Sequence, residues 1–197
     1  MTPIQHRTGK ERPTAQARGF SLFELLVVIS IISILAAVAL PRLNLHQFRI
    51  DAGVRVVQSA LQRSARFAVQ RQHDVNVSFE VPGKRLLIVD DKNNDGAAAA
   101  DEKVEWRVLE DGVRFAVPPS SIGGNPLAAV AGGNLKTING RPSIIYHRDG
   151  AASTDLQVYI TSTRPDAGDF KALSVTRSTG HVDYYRYTAG NWMRGGV

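Results

Sequence analysis

Residues 20–40 read FSLFELLVVISIISILAAVAL, and what this stretch is decides how the rest of the chain must be organised. Its 21 residues hold one charge, Glu24, and three serines, Ser21, Ser30 and Ser33. As a helix rising 1.5 Å per residue it extends about 31 Å, the thickness of a bilayer's hydrocarbon core. No second run of this kind occurs in the 197 residues. Upstream, residues 1–19 are polar and carry Arg7, Lys10, Arg12 and Arg18 against Glu11, a net charge of +3. Basic residues before the run and a polar remainder after it predict a single membrane crossing, the N-terminus cytoplasmic and everything beyond exported.

Other readings of the run exist. Ala37-Val38-Ala39 has the small-x-small form of a secretory cleavage site, but a glutamate inside an apolar core weakens such a signal. Ser21-Leu22-Phe23-Glu24 has the form of a capping box that could open a soluble helix. A soluble helix keeps a polar stripe, which these 21 residues lack. A plain signal anchor leaves Glu24 without a purpose, although an ionised carboxylate a turn inside a membrane costs a few kcal/mol and should have a partner or mark a function. The nearest upstream cation, Arg18, lies six residues back, beyond the three- or four-residue spacing of helical pairs. A cut between Gly19 and Phe20 would create an amino group four residues before Glu24.

The run Arg18-Gly19-Phe20-Ser21-Leu22-Phe23-Glu24-Leu25-Leu26-Val27-Val28, behind a short basic leader, resembles the class III signal of type IV pilins and type II secretion pseudopilins. Pro41 sits where the long N-terminal helix of that family has its proline. The resemblance implies that Gly19 is read by a prepilin peptidase in the membrane and that Phe20 becomes the N-methylated first residue. It further implies that Glu24 neutralises the terminal amine of a neighbouring subunit during assembly. The expected partners are other pilins or pseudopilins in a helical filament, inner-membrane lipid and an exported protein substrate. The expected organisation is a cleaved leader at 1–19, a transmembrane and assembly helix at 20–41, an amphipathic continuation at 42–72 and a periplasmic β-rich head at 73–197.

Beyond Pro41, Ile50, Val54, Val57, Leu61, Ala65 and Phe67/Ala68 recur at three- and four-residue steps with Arg and Gln between them. That spacing predicts an amphipathic helix to about Arg71, one long helix with the apolar run before it. From His73 the period falls to two. Strands are expected at 75–81, 86–89, 104–109, 113–117, 143–147, 157–161, 172–176 and 182–187, with a long loop at 120–134. The fold class is therefore α+β, a long N-terminal helix packed on a β-rich head. Helix followed by strands, with Arg63-Ser64-Ala65-Arg66-Phe67-Ala68-Val69-Gln70-Arg71 near the helix end, is similar to the minor pseudopilin H and minor pilin FimT group. That likeness implies two small antiparallel sheets and makes a type II secretion pseudopilin the first reading, a type IV pilus or DNA-uptake minor pilin the alternative.

Two further candidates lie in the head. Asp91-Lys92-Asn93-Asn94-Asp95-Gly96, with Glu102 after five more residues, satisfies D-x-[DN]-x-[DN]-G-x5-E, a calcium-loop spacing in which Asp91, Asn93, Asp95, the Ala97 carbonyl and Glu102 supply oxygens. An ordinary polar hairpin loop uses the same residue types for conformational reasons. Arg177, His181, Arg186 and Arg194, interleaved with Tyr184, Tyr185, Tyr187 and Trp192, are candidate DNA contacts in the alternative reading. The basic tail motif of FimT-like proteins, Gly-Arg-x-Arg, stands here as Gly180-His181-Val182-Asp183. Enzyme chemistry has little support: the five histidines are scattered, and no nucleophile elbow, Walker or dinucleotide motif occurs. Without cysteine there is no disulfide, thiolate metal site or thiol nucleophile. The net charge of +6 and pI of 9.9 would suit nucleic acid, but half of that charge lies in the leader.

Overall fold

The structure is a computed structural model that describes residues 20–39, 45–96, 99, 101–164 and 169–195. It divides into two compact units, Met1–Leu43 and Asn44–Val197. In the first, α1 spans Leu22–Ala39. Residues 40–44, which contain Pro41 and the expected join between the helices, lie outside the described residues, as do Gly19 and the leader.

The second unit opens with α2, Leu45–Arg71. Ile50, Val54, Val57, Leu61 and Ala68 are buried along one face, while Arg55, Ser59, Arg63 and Arg66 are exposed on the other. The helix ends because Gln72 turns to φ 60°, its N–H donating to the Ala68 carbonyl at 3.0 Å, a left-handed cap that satisfies a last-turn acceptor. Where α2 packs on the strand at 113–115, Gly53 makes room for the Val113 side chain. A methyl group on Gly53 would lie 2.9 Å from Val113 Cγ1.

The strands among the described residues are β1 Asp74–Glu80, β2 Arg85–Asp91, β3 Val104–Val108, β4 Val113–Phe115, β5 Val130–Ala131, β6 Lys136–Ile138, β7 Arg141–Tyr146, β8 Leu156–Ser162, β9 Lys171–Val175, β10 Val182–Thr188 and β11 Asn191–Gly195. They form two antiparallel sheets, β3-β2-β1-β7-β6 and β11-β10-β9-β8-β4, with β5 also on β8. The expected α+β head of two sheets is present. Three strands, β5, β6 and β11, are additions to the sequence reading, and β5 corrects the expectation of an unbroken loop at 120–134. Two residues are too few for an alternation to show. β5 exists because β8, buried along its whole length, offers it an edge.

One apolar core joins both sheets to α2. Phe79 of β1 meets Phe115 of β4 edge to face, ring centroids 6.0 Å apart, and Leu61, Leu86, Ile144, Leu156, Ile160 and Leu173 pack around them fully buried. A smaller cluster on the far face of the second sheet gathers Ala131, Tyr159 and Ala172 under Ile122, Tyr185 and Trp192. Fully burying a side chain of this size contributes about 1.5–3 kcal/mol, so the core dominates the head's stability.

Candidate functional site

In α1 the side chains of residues 20–37 are exposed all round, Phe20 and Leu22 at 78% and 84%. Each serine within it is satisfied by the helix itself. Ser21 Oγ accepts the Glu24 N–H at 3.3 Å as an N-cap, while Ser30 and Ser33 donate to the Leu26 and Ile29 carbonyls at 2.8 Å. The helix thereby presents an apolar surface whose one charged side chain is the exposed Glu24, in its first turn. No Lys or Arg occurs between residues 20 and 40 to neutralise it. Among the described residues no helix is long and apolar enough to cross a membrane. α1 has 18 residues against the 21 of the apolar run, because Phe20 and Ser21 precede it and Leu40 lies outside the described residues.

The Asp91–Glu102 loop is held by its own carboxylates. Asp91 Oδ1 accepts the Asp95 N–H at 3.1 Å, and Asp91 Oδ2 accepts the Gly96 N–H at 2.8 Å and the Asn76 amide at 2.9 Å. Glu102 accepts the Lys92 and Ala99 N–H groups, each at 2.9 Å. Asn93 caps the Asp95 N–H at 3.0 Å and donates to its carboxylate at 2.8 Å. Asp91 and Glu102 are thus brought to one loop, both buried, whereas Ala97 lies outside the described residues. Among the described residues no three His, Cys, Asp or Glu side chains are grouped to hold a metal ion.

The candidate DNA contacts do not converge. The register of β10 against β11 pairs Tyr185 with Arg194 and Arg186 with Met193, so Arg186 and Arg194 project from opposite faces of the sheet. Arg194 pairs with Asp183, and His181 Nε2 lies 3.4 Å from the same carboxylate. Arg177 belongs to the turn after β9, its backbone N–H on Asp155 Oδ1 at 2.7 Å. Gly180 is there for the turn itself: at φ 63°, a methyl group on it would lie 2.3 Å from the Gly150 carbonyl oxygen. Trp192 and Tyr185 face inward onto Tyr159, and the Trp192 indole donates to the Ser120 carbonyl at 2.8 Å.

Residues 14–40 match the family description "Prokaryotic N-terminal methylation motif". The chain carries that methylation motif. No curated protein matches the chain. Two solved structures of the minor pseudopilin EpsH from the type 2 secretion system of Vibrio cholerae are similar to it. One has 12% identity and a TM-score of 0.45 over 73% of this chain and 99% of that chain. The other has 12% and 0.47 over 70% and 94%.

The methylation motif covers Gly19, Phe20 and Glu24 and ends at Leu40, so its matched residues coincide with the leader's end and the apolar run. Within it Ser30 and Ser33 are the residues whose role the sequence reading missed. Their four-residue spacing behind Leu26 and Ile29, on a helix with no other polar group at that depth, is the signal of back-bonded serines. In the head the sequence reading missed a stack on the outer side of the first sheet. Arg85 lies 4.1 Å and Arg141 5.7 Å from the Trp106 ring centroid, both paired with Glu80. The hydrogen bond from Arg85 holds the Glu80 carboxyl below its ordinary value.

Proposed function

We propose that the protein is a membrane-anchored, non-enzymatic filament subunit of the type IV pilin-like class, and within it a minor pseudopilin of a type II secretion system. The observation that carries the reading is the lone Glu24 carboxylate in the first turn of a helix whose other polar side chains are self-satisfied, inside a methylation motif. In this account a prepilin peptidase cuts after Gly19, and Phe20 becomes an N-methylated N-terminus in the inner membrane. The apolar run at 20–40 crosses the bilayer once with the head in the periplasm. On assembly the helix leaves lipid for a bundle of like helices, and each Glu24 pairs with a neighbour's terminal amine, because a carboxylate and an ammonium stay charged in an apolar bundle only together. The head then initiates or caps the filament and meets the exported protein.

The experiment is a pair of substitutions in cells. Gly19→Trp should leave the leader attached, and mature-sized protein would refute the cleavage step. Glu24→Ala should be cut and held in the membrane yet stay out of the filament, and normal co-assembly would refute the pairing step.

A FimT-like minor pilin of DNA uptake is the alternative. The split of Arg186 and Arg194 between two faces, and the pairing of Arg194 with Asp183, count against it. A salt-dependent DNA-shift assay discriminates, since phosphate contacts weaken steeply with salt. For the Asp91–Glu102 loop, backbone organisation is the role its contacts support and calcium the ligand its spacing proposes. A thermal midpoint unchanged between calcium and chelator removes calcium.

A further inference from the structure

Of the sheet edges, β4 and β6 are three residues long and β11 ends in Arg194-Gly195. β3, Val104-Glu105-Trp106-Arg107-Val108, is different. Among the described residues no strand pairs with its outer side. Edge strands are normally blunted by charge, proline or a bulge, since an open row of N–H and C=O groups recruits another strand. On the outer face of β3, Val104, Trp106 and Val108 are 42%, 40% and 61% exposed, and the strand's two charges, Glu105 and Arg107, alternate onto the other face, where they pair with each other.

The hydrogen-bond phase shows which groups are free. The Asp90 N–H donates to the Lys103 carbonyl, and the Leu109 N–H to the Lys84 carbonyl. With Val89 opposite Val104 and Arg85 opposite Val108, residues 103, 105, 107 and 109 fall in the hydrogen-bonded pairs with β2. The N–H and C=O groups of Val104, Trp106 and Val108 therefore point away from the sheet. Three residues offer both apolar side chains and unpaired main chain.

The sequence of this edge is complementary to itself. In an antiparallel pair about a two-fold axis through Trp106, Val104 faces the second copy's Val108, Trp106 faces Trp106, and Glu105 faces Arg107 in both directions. The outward-pointing groups then close about six main-chain hydrogen bonds. Opposite charges and aromatic or β-branched residues meet directly across the strands, the pairs that stabilise such a ladder. A slip of two residues either way sets Glu105 against Glu105 or Arg107 against Arg107, which is unfavourable. A slip of one turns apolar side chains toward the charged face. Arg85 already covers part of the Trp106 ring and leaves the strand's outer edge open.

We propose that β3 is a homodimer seam: two copies of this chain pair antiparallel through residues 104–108, centred on Trp106. The inference does not depend on the filament reading, since it rests on the head alone. The full chain contains no cysteine, so introduced thiols report without background. Full-length Val104→Cys and Val108→Cys chains, purified in detergent, are treated separately and mixed with a short bis-maleimide. Position 104 lies opposite 108 of the second copy but four residues, about 14 Å, from that copy's own 104. The mixture should yield cross-linked dimer several-fold above either variant alone, and equal yields in all three or none in the mixture would overturn the seam. Glu105→Arg should reduce the dimer several-fold in sedimentation, and adding Arg107→Glu should restore it. A charge swap that fails to restore would likewise overturn the proposal.

Discussion

α1 and α2 are both helices rich in aliphatic residues, yet they are built for different surroundings. α2 divides its surface, burying Ile50, Val54, Val57 and Leu61 against the sheets and exposing Arg55, Ser59, Arg63 and Arg66. α1 has no such division, and its serines turn their hydroxyls back onto their own backbone. The acids differ as well. Asp51 in α2 lies 3.1 Å from Lys171 of β9, so its charge is matched within the head. Glu24 has no cation on its own helix. α2 is completed by the chain that contains it, whereas under the proposed function α1 would be completed by lipid and by other subunits.

The largest effect that separates the helices is a truncation made in each. Leu61→Ala should destabilise the head by about 2–5 kcal/mol through the cavity it leaves, whereas Leu26→Ala should leave the head's unfolding midpoint unchanged. A comparable loss from Leu26→Ala in thermal denaturation of the detergent-solubilised chain would erase the distinction. The buried Ser64, whose hydroxyl donates to the Ala60 carbonyl at 2.9 Å, sharpens it. Ser64→Leu should cost about 1–3 kcal/mol by overpacking, while Ser30→Leu in α1 should be tolerated.

Smaller still is the acid pair. Asp51→Ala should cost about 0–1 kcal/mol, as partly exposed ion pairs do. Burial alone would lower the Lys171 pKa, but hydrogen bonds with Tyr184 and Asp51 outweigh it and raise the value. A raised lysine contributes its full stability below its ordinary value of 10.5 and loses it as pH climbs through the raised one. The alkaline limb of the stability profile should therefore be shallower in Asp51→Ala than in the native chain. The smallest effect is at the acid end. Because Arg85 lowers the Glu80 pKa, Glu80 contributes above its ordinary value and loses that contribution as pH falls toward the lowered one. Glu80→Gln should flatten this acid limb slightly, read from denaturant midpoints across pH.

Much of this contrast is legible in the sequence. Three- and four-residue spacing predicts the buried face of α2 and its end at about Arg71, and alternation together with turn signals such as Pro82-Gly83 predicts eight strands. The hairpin of β6 and β7 was legible too, since Asn139-Gly140, at φ 50° and 74°, is the residue pair such a turn demands. Lys136-Thr137-Ile138 itself is too short for an alternation to show. β11 lacked even that cue, because the turn before it places Ala189, an unfavoured residue, at φ 51°. Glu24 was legible because it is the sole charge in an apolar run. The scattering of Arg186 and Arg194 was not: the turn at 189–190 reverses the strand, and only the register reveals that they face opposite ways.

The most direct test of the central claim is intact-mass and N-terminal sequencing mass spectrometry on the protein from the membrane fraction of its native cells. The account predicts a chain that begins at Phe20 with one methyl group on its amino nitrogen. A chain that still begins in the leader, or that is cut after Ala39 and released from the membrane, would contradict it.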